Sequence, residues 1–206
     1  SQGFKMHRTD GILFDYGIFT NIEEDHIGEN EHKDFAEYKY YKSRIFTQSK
    51  TGLVNLDADF SEEFMENAEC PCFSFALKKQ ADFMATEIED LHRHDFLGCR
   101  FHFRHGEEDW AIWNHLPGRY NVYNALAAIS LASLLKIKKE VVQTALRKIQ
   151  VNGRMEVVLQ RGGYTVLVDY AHNAMGMKNL LETLKAYKPK RLIVVFGCGG
   201  NRAKER

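Results

Sequence analysis

Val166-Leu167-Val168-Asp169-Tyr170-Ala171-His172-Asn173 is a short apolar run that delivers an acid and a histidine to its far end. The run reads as a buried strand. Directly after it Met175, Met177, Leu180, Leu181 and Leu184 fall at helical spacing, so the predicted order is strand, turn, helix. Open α/β sheets place ligand-handling residues at the strand ends of such turns. A second apolar run, Leu192 to Phe196, reads as another buried strand, and it leads into Gly197-Cys198-Gly199-Gly200-Asn201-Arg202.

Toward the amino terminus the alternation of strand and helix continues. Tyr16 to Ile22 reads as a buried strand and Glu23 to Lys33 as polar loop. Phe35, Tyr38, Ile45 and Phe46 have helical spacing. Gly52 to Leu56 is a second strand, and Ser61 is a plausible cap for a short helix with Glu62 and Glu63 in its first turn. Cys72 to Phe75 is a third strand. This order predicts an α/β fold with a mostly parallel sheet. From Ala81 to Leu116 the text changes to short alternating runs separated by Gly98 and by Gly106-Glu107-Glu108-Asp109, which predicts an antiparallel meander. Helices follow over Asn124–Leu135 and Lys139–Ile149. Helical text stops at Val151 to Gly153, which divides the chain into domains at 1–150 and 151–206. The second piece offers two or three strands and one helix, short for an independent domain. The chain reads as a fragment, broken off at both ends.

Composition excludes several classes. Lys plus Arg equals Asp plus Glu at 28 each, with no long basic block, which argues against a nucleic-acid or membrane-surface protein. No run of 18 apolar residues and no signal peptide is visible. Cys70, Cys72, Cys99 and Cys198 match neither a zinc pair nor a disulfide framework, so reduced cytosolic thiols are expected. Cys70-Pro71-Cys72 reads as the start of a strand rather than a redox pair.

Several residues carry chemistry in principle. In Thr20-Asn21-Ile22-Glu23-Glu24-Asp25-His26 an acid–histidine pair follows a strand end. Such a histidine either faces a phosphate–metal cluster or is an ordinary loop residue. Lys42 lies near the apolar seam of its helix, where a lysine usually snorkels its amine to water. Asn121 or Asn124 could cap the helix that follows. Asp169 at a strand end suits a ribose hydroxyl and Arg154 suits phosphate, although the two could instead form a structural ion pair. The glycines after Phe196 let backbone amides approach an anion. His92, His94, His102 and His105 are a candidate metal group, more simply read as solvent-facing on strands.

The segments Gly153-Arg154, Asp169-Tyr170-Ala171-His172-Asn173 and Gly197-Cys198-Gly199-Gly200-Asn201-Arg202, in that order, resemble the Mur ligase family of ATP-dependent amide ligases. Gly118-Arg119-Tyr120-Asn121-Val122-Tyr123-Asn124-Ala125-Leu126-Ala127-Ala128 is similar to that family's Gly-x-x-Asn-x-x-Asn-x-Leu-Ala-Ala. The nearest likeness is to members that add the third residue to UDP-N-acetylmuramoyl-dipeptide. The resemblance implies the later part of the family's central ATPase domain, followed by the start of a Rossmann-like third domain. It implies a cytoplasmic, monomeric enzyme of peptidoglycan biosynthesis, hence of cell shape and division, using ATP and Mg2+. Its substrates would be UDP-N-acetylmuramoyl-dipeptide and a free amino acid. By position, His26 would hold magnesium and Lys42 would do so as a carbamate. Asn121 and Asn124 would lie near adenine, with Arg154, Asp169 and His172 at the nucleotide. Arg8 would lie near the UDP-sugar and Arg202 at the carboxylate of the incoming amino acid. Met6 stands where the family has glutamine, and Asn173 where it usually has proline. No Gly-x-x-x-x-Gly-Lys-Ser/Thr loop occurs in the chain; the resemblance places it before Ser1 and the amino-acid-choosing motif after Arg206. Cyanophycin-type and folylpolyglutamate-type ligases are rival readings, and a folded, non-catalytic fragment is a third.

Overall fold

The computed structural model describes residues 1–24, 27–28, 31–93 and 96–197. Six strands form one sheet in chain order: β1 (Phe14–Phe19), β2 (Ser49–Asn55), β3 (Cys72–Ala76), β4 (Phe83–Arg93), β5 (Phe96–His105) and β6 (Glu108–Asn114). The pairings β1–β2, β2–β3 and β3–β4 are parallel. Parallel neighbours need a crossover. After a short α1 (Gln2–Lys5), α2 (Phe35–Ser43) supplies the first crossover and α3 (Ser61–Glu66) the second. Only two residues lie between β5 and β6, a link that joins antiparallel neighbours alone. The mostly parallel sheet and the change of pattern after Ala81 are therefore both as the sequence predicts.

The chain forms two compact units. The first comprises Ser1–Met84, His105–Glu107 and Leu126–Leu135. Its core gathers Phe19, Ile22, Tyr38, Phe46, Val54 and Phe64. Fully burying each such phenylalanine contributes roughly 1.5–3 kcal/mol. Gly52 lets β2 pass close to its neighbours, since a Cβ there would fall 2.4 Å from Cys72 Sγ. The Asp57 carboxylate accepts the backbone N–H groups of Leu77, Lys78 and Lys79, which ties the turn after β3 to the end of β2.

The second unit comprises Ala85–Arg104, Glu108–Ala125 and Lys136–Arg206. Cys99, Phe101, Phe103, Ile112 and Val122 are fully buried in it. The first turns of α4 (Arg119–Leu134) belong here, and α5 (Lys139–Lys148) packs on β6, where the Gln143 amide donates to the Ala111 carbonyl at 2.8 Å. Next come β7 (Glu156–Arg161) and β8 (Tyr164–Val168), an antiparallel pair joined by Gly162 and Gly163, both at positive φ, and then α6 (Ala174–Ala186).

Several expectations need correction. The run Val166–Val168 is a strand but not a buried one: Val166 is 41% and Val168 46% exposed. It pairs only with β7 in a two-stranded sheet, and such a ribbon has no interior of its own. Leu192–Phe196 forms no strand, and Val195 is 94% exposed. An apolar run marks a candidate for burial, but a strand also needs a ladder partner. α4 begins at Arg119, so Asn121 and Asn124 lie inside it and cap nothing. Ser61 is not a cap either; Phe60 holds that position at φ 61°, and the Ser61 hydroxyl donates to Leu56 O at 3.1 Å. The helix from Phe35 tightens into a 3-10 turn at Arg44–Thr47. Cys72 opens β3 as predicted, and burial pushes its thiol up to about 12, which leaves it a poor nucleophile. No helix of the described residues is long and apolar enough to cross a membrane.

Candidate functional site

Asp169 stands directly after β8. Its Oδ1 accepts the Ala171 N–H at 2.7 Å and its Oδ2 accepts the Met155 N–H at 2.8 Å. The carboxylate thus staples the strand end to the Gly153-Arg154-Met155 turn, where Met155 is buried at φ 47°. Each oxygen accepts one backbone N–H and keeps a lone pair free, and Arg154 does not pair with it. The Arg154 guanidinium instead lies 4.6 Å from the centre of the exposed Tyr170 ring, a cation–π contact. His172 Nδ1 is 2.9 Å from the Tyr170 carbonyl. A carbonyl only accepts, so this nitrogen carries the proton and Nε2 faces outward as an acceptor when the ring is neutral. Asn173 Oδ1 caps α6 by accepting the Gly176 N–H at 2.7 Å. Asparagine is among the preferred residues at a helix N-cap.

The Pro117–Asn124 segment lies in the same unit. Gly118 has φ 93°, and a Cβ there would meet Thr183 Oγ1 at 2.8 Å, so only glycine fits between this turn and α6. Buried Asn121 donates to Pro117 O at 2.7 Å and accepts from Asn124 Nδ2 at 3.3 Å, while Asn114 donates to Asn121 O at 3.3 Å. Asn121 is committed to the fold; Asn124 is exposed and can still turn its amide to a ligand. Tyr120 went unnoticed in the sequence. Its phenol is pushed up to about 12, first by burial and then by the charge of Asp169, with Asn121 and Arg154 acting the other way. Tyr120, Arg154 and Asp169 therefore share one electrostatic neighbourhood. A shallow cleft lined by His115, Leu116, Gln150, Arg154 and Met155 lies in the same unit.

In the first unit, Asp34 caps α2 by accepting the Glu37 N–H at 2.8 Å. Lys42, on the last turn, is half-buried. Its Nζ donates to Asn21 O at 2.7 Å and sits 5.3 Å from the centre of the Tyr38 ring. The lysine therefore reaches the strand end that precedes His26. His26 and Arg202 themselves lie outside the described residues, as does His94. Arg8 is exposed in the turn after α1. The other histidines do not gather: His102 pairs with Asp109, His105 stacks on Phe83, and His92 meets the Tyr187 ring edge-on. Among the described residues no group of three His, Cys, Asp or Glu side chains could hold a metal ion.

His32 was also missed. It is fully buried, with Nδ1 3.5 Å from Glu37 Oε2, and its ring lies 5.3 Å from Tyr38 and 5.7 Å from Tyr41. Among the described residues neither ring nitrogen has a hydrogen-bond partner. Burial, then the nearby Lys5 charge, pushes its pKa down, while Glu37 opposes the shift. Glu37 Oε2 accepts from Lys5 Nζ at 2.8 Å and from the Lys33 N–H at 2.9 Å, and the Lys5 bond leads in holding that carboxyl down to about 2. Only a polar residue in a loop before a helix was visible in the sequence; its burial was not.

These groups bear differently on the expected ligands. An exposed cation on an aromatic ring, an exposed asparagine amide and an outward histidine nitrogen fit a nucleotide. An ammonium at Lys42 does not fit a magnesium ion; a carbamate on the same nitrogen would present oxygens to it.

The mostly parallel sheet with its crossover helices defines an α/β fold, and the Asp–His pair follows a separate two-stranded ribbon. The chain belongs to the Mur ligase family: the Mur ligase middle domain matches residues 1–132 and the Mur ligase glutamate ligase domain residues 153–206. It is 35% identical over 207 residues to the UDP-N-acetylmuramoyl-L-alanyl-D-glutamate–2,6-diaminopimelate ligase of Caldanaerobacter subterraneus subsp. tengcongensis, across 100% of this chain and 42% of that protein. A solved structure of a ligase with the same name superposes with a TM-score of 0.76 at 25% identity, covering 98% of this chain and 42% of that one. In fold alone, folylpolyglutamate synthase of Mycobacterium tuberculosis is also similar, with a TM-score of 0.64 at 19% identity over 82% of this chain and 39% of that one. The chain thus spans about 42% of the length of the first of these relatives.

Proposed function

We propose that this chain is part of an ATP-dependent amide ligase that adds an amino acid to UDP-N-acetylmuramoyl-dipeptide in the cytoplasm. The observation that carries the reading is the 35% identity, along the whole chain, to a ligase named for that dipeptide. A carboxylate oxygen of the substrate attacks the γ-phosphorus of ATP, and ADP leaves. The amine of the amino acid then attacks the acyl carbon, and phosphate departs with the former carboxylate oxygen. Such a transfer asks the protein mainly for positioning and charge.

In this reading residues 1–150 are the later part of the central ATP-binding domain and 151–206 the start of the amino-acid-binding domain. Arg154 meets phosphate charge, Asp169 holds the turn that presents it and is available to a ribose hydroxyl, and His172 offers Nε2. Asn124 contacts the base while Asn121 fixes Asn124. Arg8 faces the UDP-sugar and Arg202 the carboxylate of the amino acid. Magnesium, when bound, neutralises phosphate charge, with His26 and a carbamoylated Lys42 as its holders.

The 206-residue chain contains no phosphate loop of the Gly-x-x-x-x-Gly-Lys-Ser/Thr type. Purified alone, it is expected to show no amino-acid-dependent release of phosphate from ATP, whereas a full-length ligase carrying it makes UDP-N-acetylmuramoyl-tripeptide. Mass spectrometry of the product with each protein checks this. Steady ligation by the 206-residue chain, or no tripeptide from the full-length protein, would contradict it.

A further inference from the structure

His32 is hard to explain as packing. It is fully buried, and among the described residues neither ring nitrogen has a hydrogen-bond partner. A buried polar atom without a partner destabilises a fold, and an apolar ring of similar shape would fill the space without that cost. Among the described residues the charged acceptor near it is Glu37 Oε2 at 3.5 Å, a few tenths of an ångström too long for a good hydrogen bond. Catalytic contacts are often long in a ligand-free protein and tighten when substrates bind.

The surroundings give that contact a direction. Glu37 lies in the first turn of α2, and the same helix carries Tyr38, Tyr41 and Lys42. The His32 ring rests against both tyrosines, and the Lys42 ammonium sits on the Tyr38 ring. Lys5 ties Glu37 to the Glu31 carbonyl, which fixes the loop from which His32 projects. A line of contacts thus runs from Glu37 through His32 and Tyr38 to Lys42.

We propose that His32 is a positioning residue for Lys42, its ring packing the tyrosines and its nitrogen engaging Glu37 in the working enzyme so that α2 presents the lysine at the end of β1. The proposal rests on the reading of Lys42 as a catalytic residue. It is tested in the full-length ligase with His32→Phe, His32→Asn and Lys42→Ala, measuring thermal unfolding, kcat, and KM for ATP and for the UDP-sugar dipeptide. Phenylalanine keeps the ring and removes the nitrogens. His32→Phe is therefore expected to unfold at or above the parent temperature yet to lose about 10-fold or more in kcat, with both KM values within about 3-fold. Asparagine restores a donor near the Nδ1 position, so His32→Asn should recover most of kcat despite packing less well.

A His32→Phe enzyme with parental kcat, or one that fails to fold, would overturn the proposal, because the imidazole would then be a packing group or already satisfied in the fold. Equal losses in His32→Phe and His32→Asn would also overturn it, since the nitrogen would not matter. If Lys42→Ala is inactive while His32→Phe runs at the parental rate, only the positioning role fails. Full activity in Lys42→Ala removes the Lys42 reading, and the proposal with it.

Discussion

Replacing Lys42 with alanine in the full-length ligase is expected to lower kcat by roughly 100-fold or more, with KM for ATP within about 3-fold. The lysine sits at the last turn of α2 and reaches Asn21 O at the end of β1, far along the chain from the Asn121, Arg154 and Asp169 group assigned to the nucleotide. Its loss should therefore act on the transition state more than on nucleotide binding. Carbamoylation converts a cation that repels magnesium into an anion that attracts it. Added short carboxylic acids or carbon dioxide should then restore part of the lost rate, because they return the missing anion. Steady-state kinetics with and without acetate measures this. Full activity in the variant, or a loss that no carboxylate relieves, would leave Lys42 as an ammonium that pins the strand end and nothing more.

Asp169→Ala is expected to destabilise the second unit by about 2–3 kcal/mol, since two backbone N–H groups lose a charged acceptor. Asp169→Asn keeps one carbonyl acceptor and should lose about half as much. Trp110 and Trp113, the two tryptophans of the chain, both lie in that unit and report its unfolding in urea. The Tyr120 phenol should also ionise at lower pH in Asp169→Ala, though burial, the leading cause of its raised pKa, remains. In the full-length ligase the same substitution should raise KM for ATP by about 10-fold, because the turn that holds Arg154 is no longer stapled. Unchanged urea unfolding in Asp169→Ala would show that the two bonds contribute nothing to the fold.

The order of elements was legible because apolar runs and helical spacing report which face of each segment is buried. The predicted strands Tyr16–Ile22, Gly52–Leu56 and Cys72–Phe75 overlap β1 to β3, the first running three residues and the second one residue past the strand end. The turn at Gly106-Glu107 was equally clear, whereas Gly98, read as a turn, lies inside β5, and Glu108-Asp109 open β6. Pairing was less so. Val166–Val168 and Leu192–Phe196 look alike as text, yet one joins a two-stranded ribbon and the other joins nothing among the described residues. Apolar content says what a segment would gain by burial, not whether a neighbour covers it. Caps failed for a related reason: Asn121 and Ser61 have the right chemistry, but each side chain reaches back to an earlier carbonyl. Of the candidate site, Lys42, Arg154, Asp169 and His172 stand out in the sequence by type and position, and their roles remain proposals. Tyr120 and His32 were missed, because their interest lies in burial and neighbours that a single sequence does not display.

The measurement that bears most directly on the ligase assignment is the fate of the substrate oxygen. UDP-N-acetylmuramoyl-dipeptide labelled with 18O in its reacting carboxylate would be converted by the full-length protein in the presence of ATP, Mg2+ and the amino acid, and the released phosphate analysed by mass spectrometry. An acyl phosphate requires one labelled oxygen to appear in inorganic phosphate for each amide bond formed. Amide formation with unlabelled phosphate, or no turnover of this dipeptide, would contradict the account.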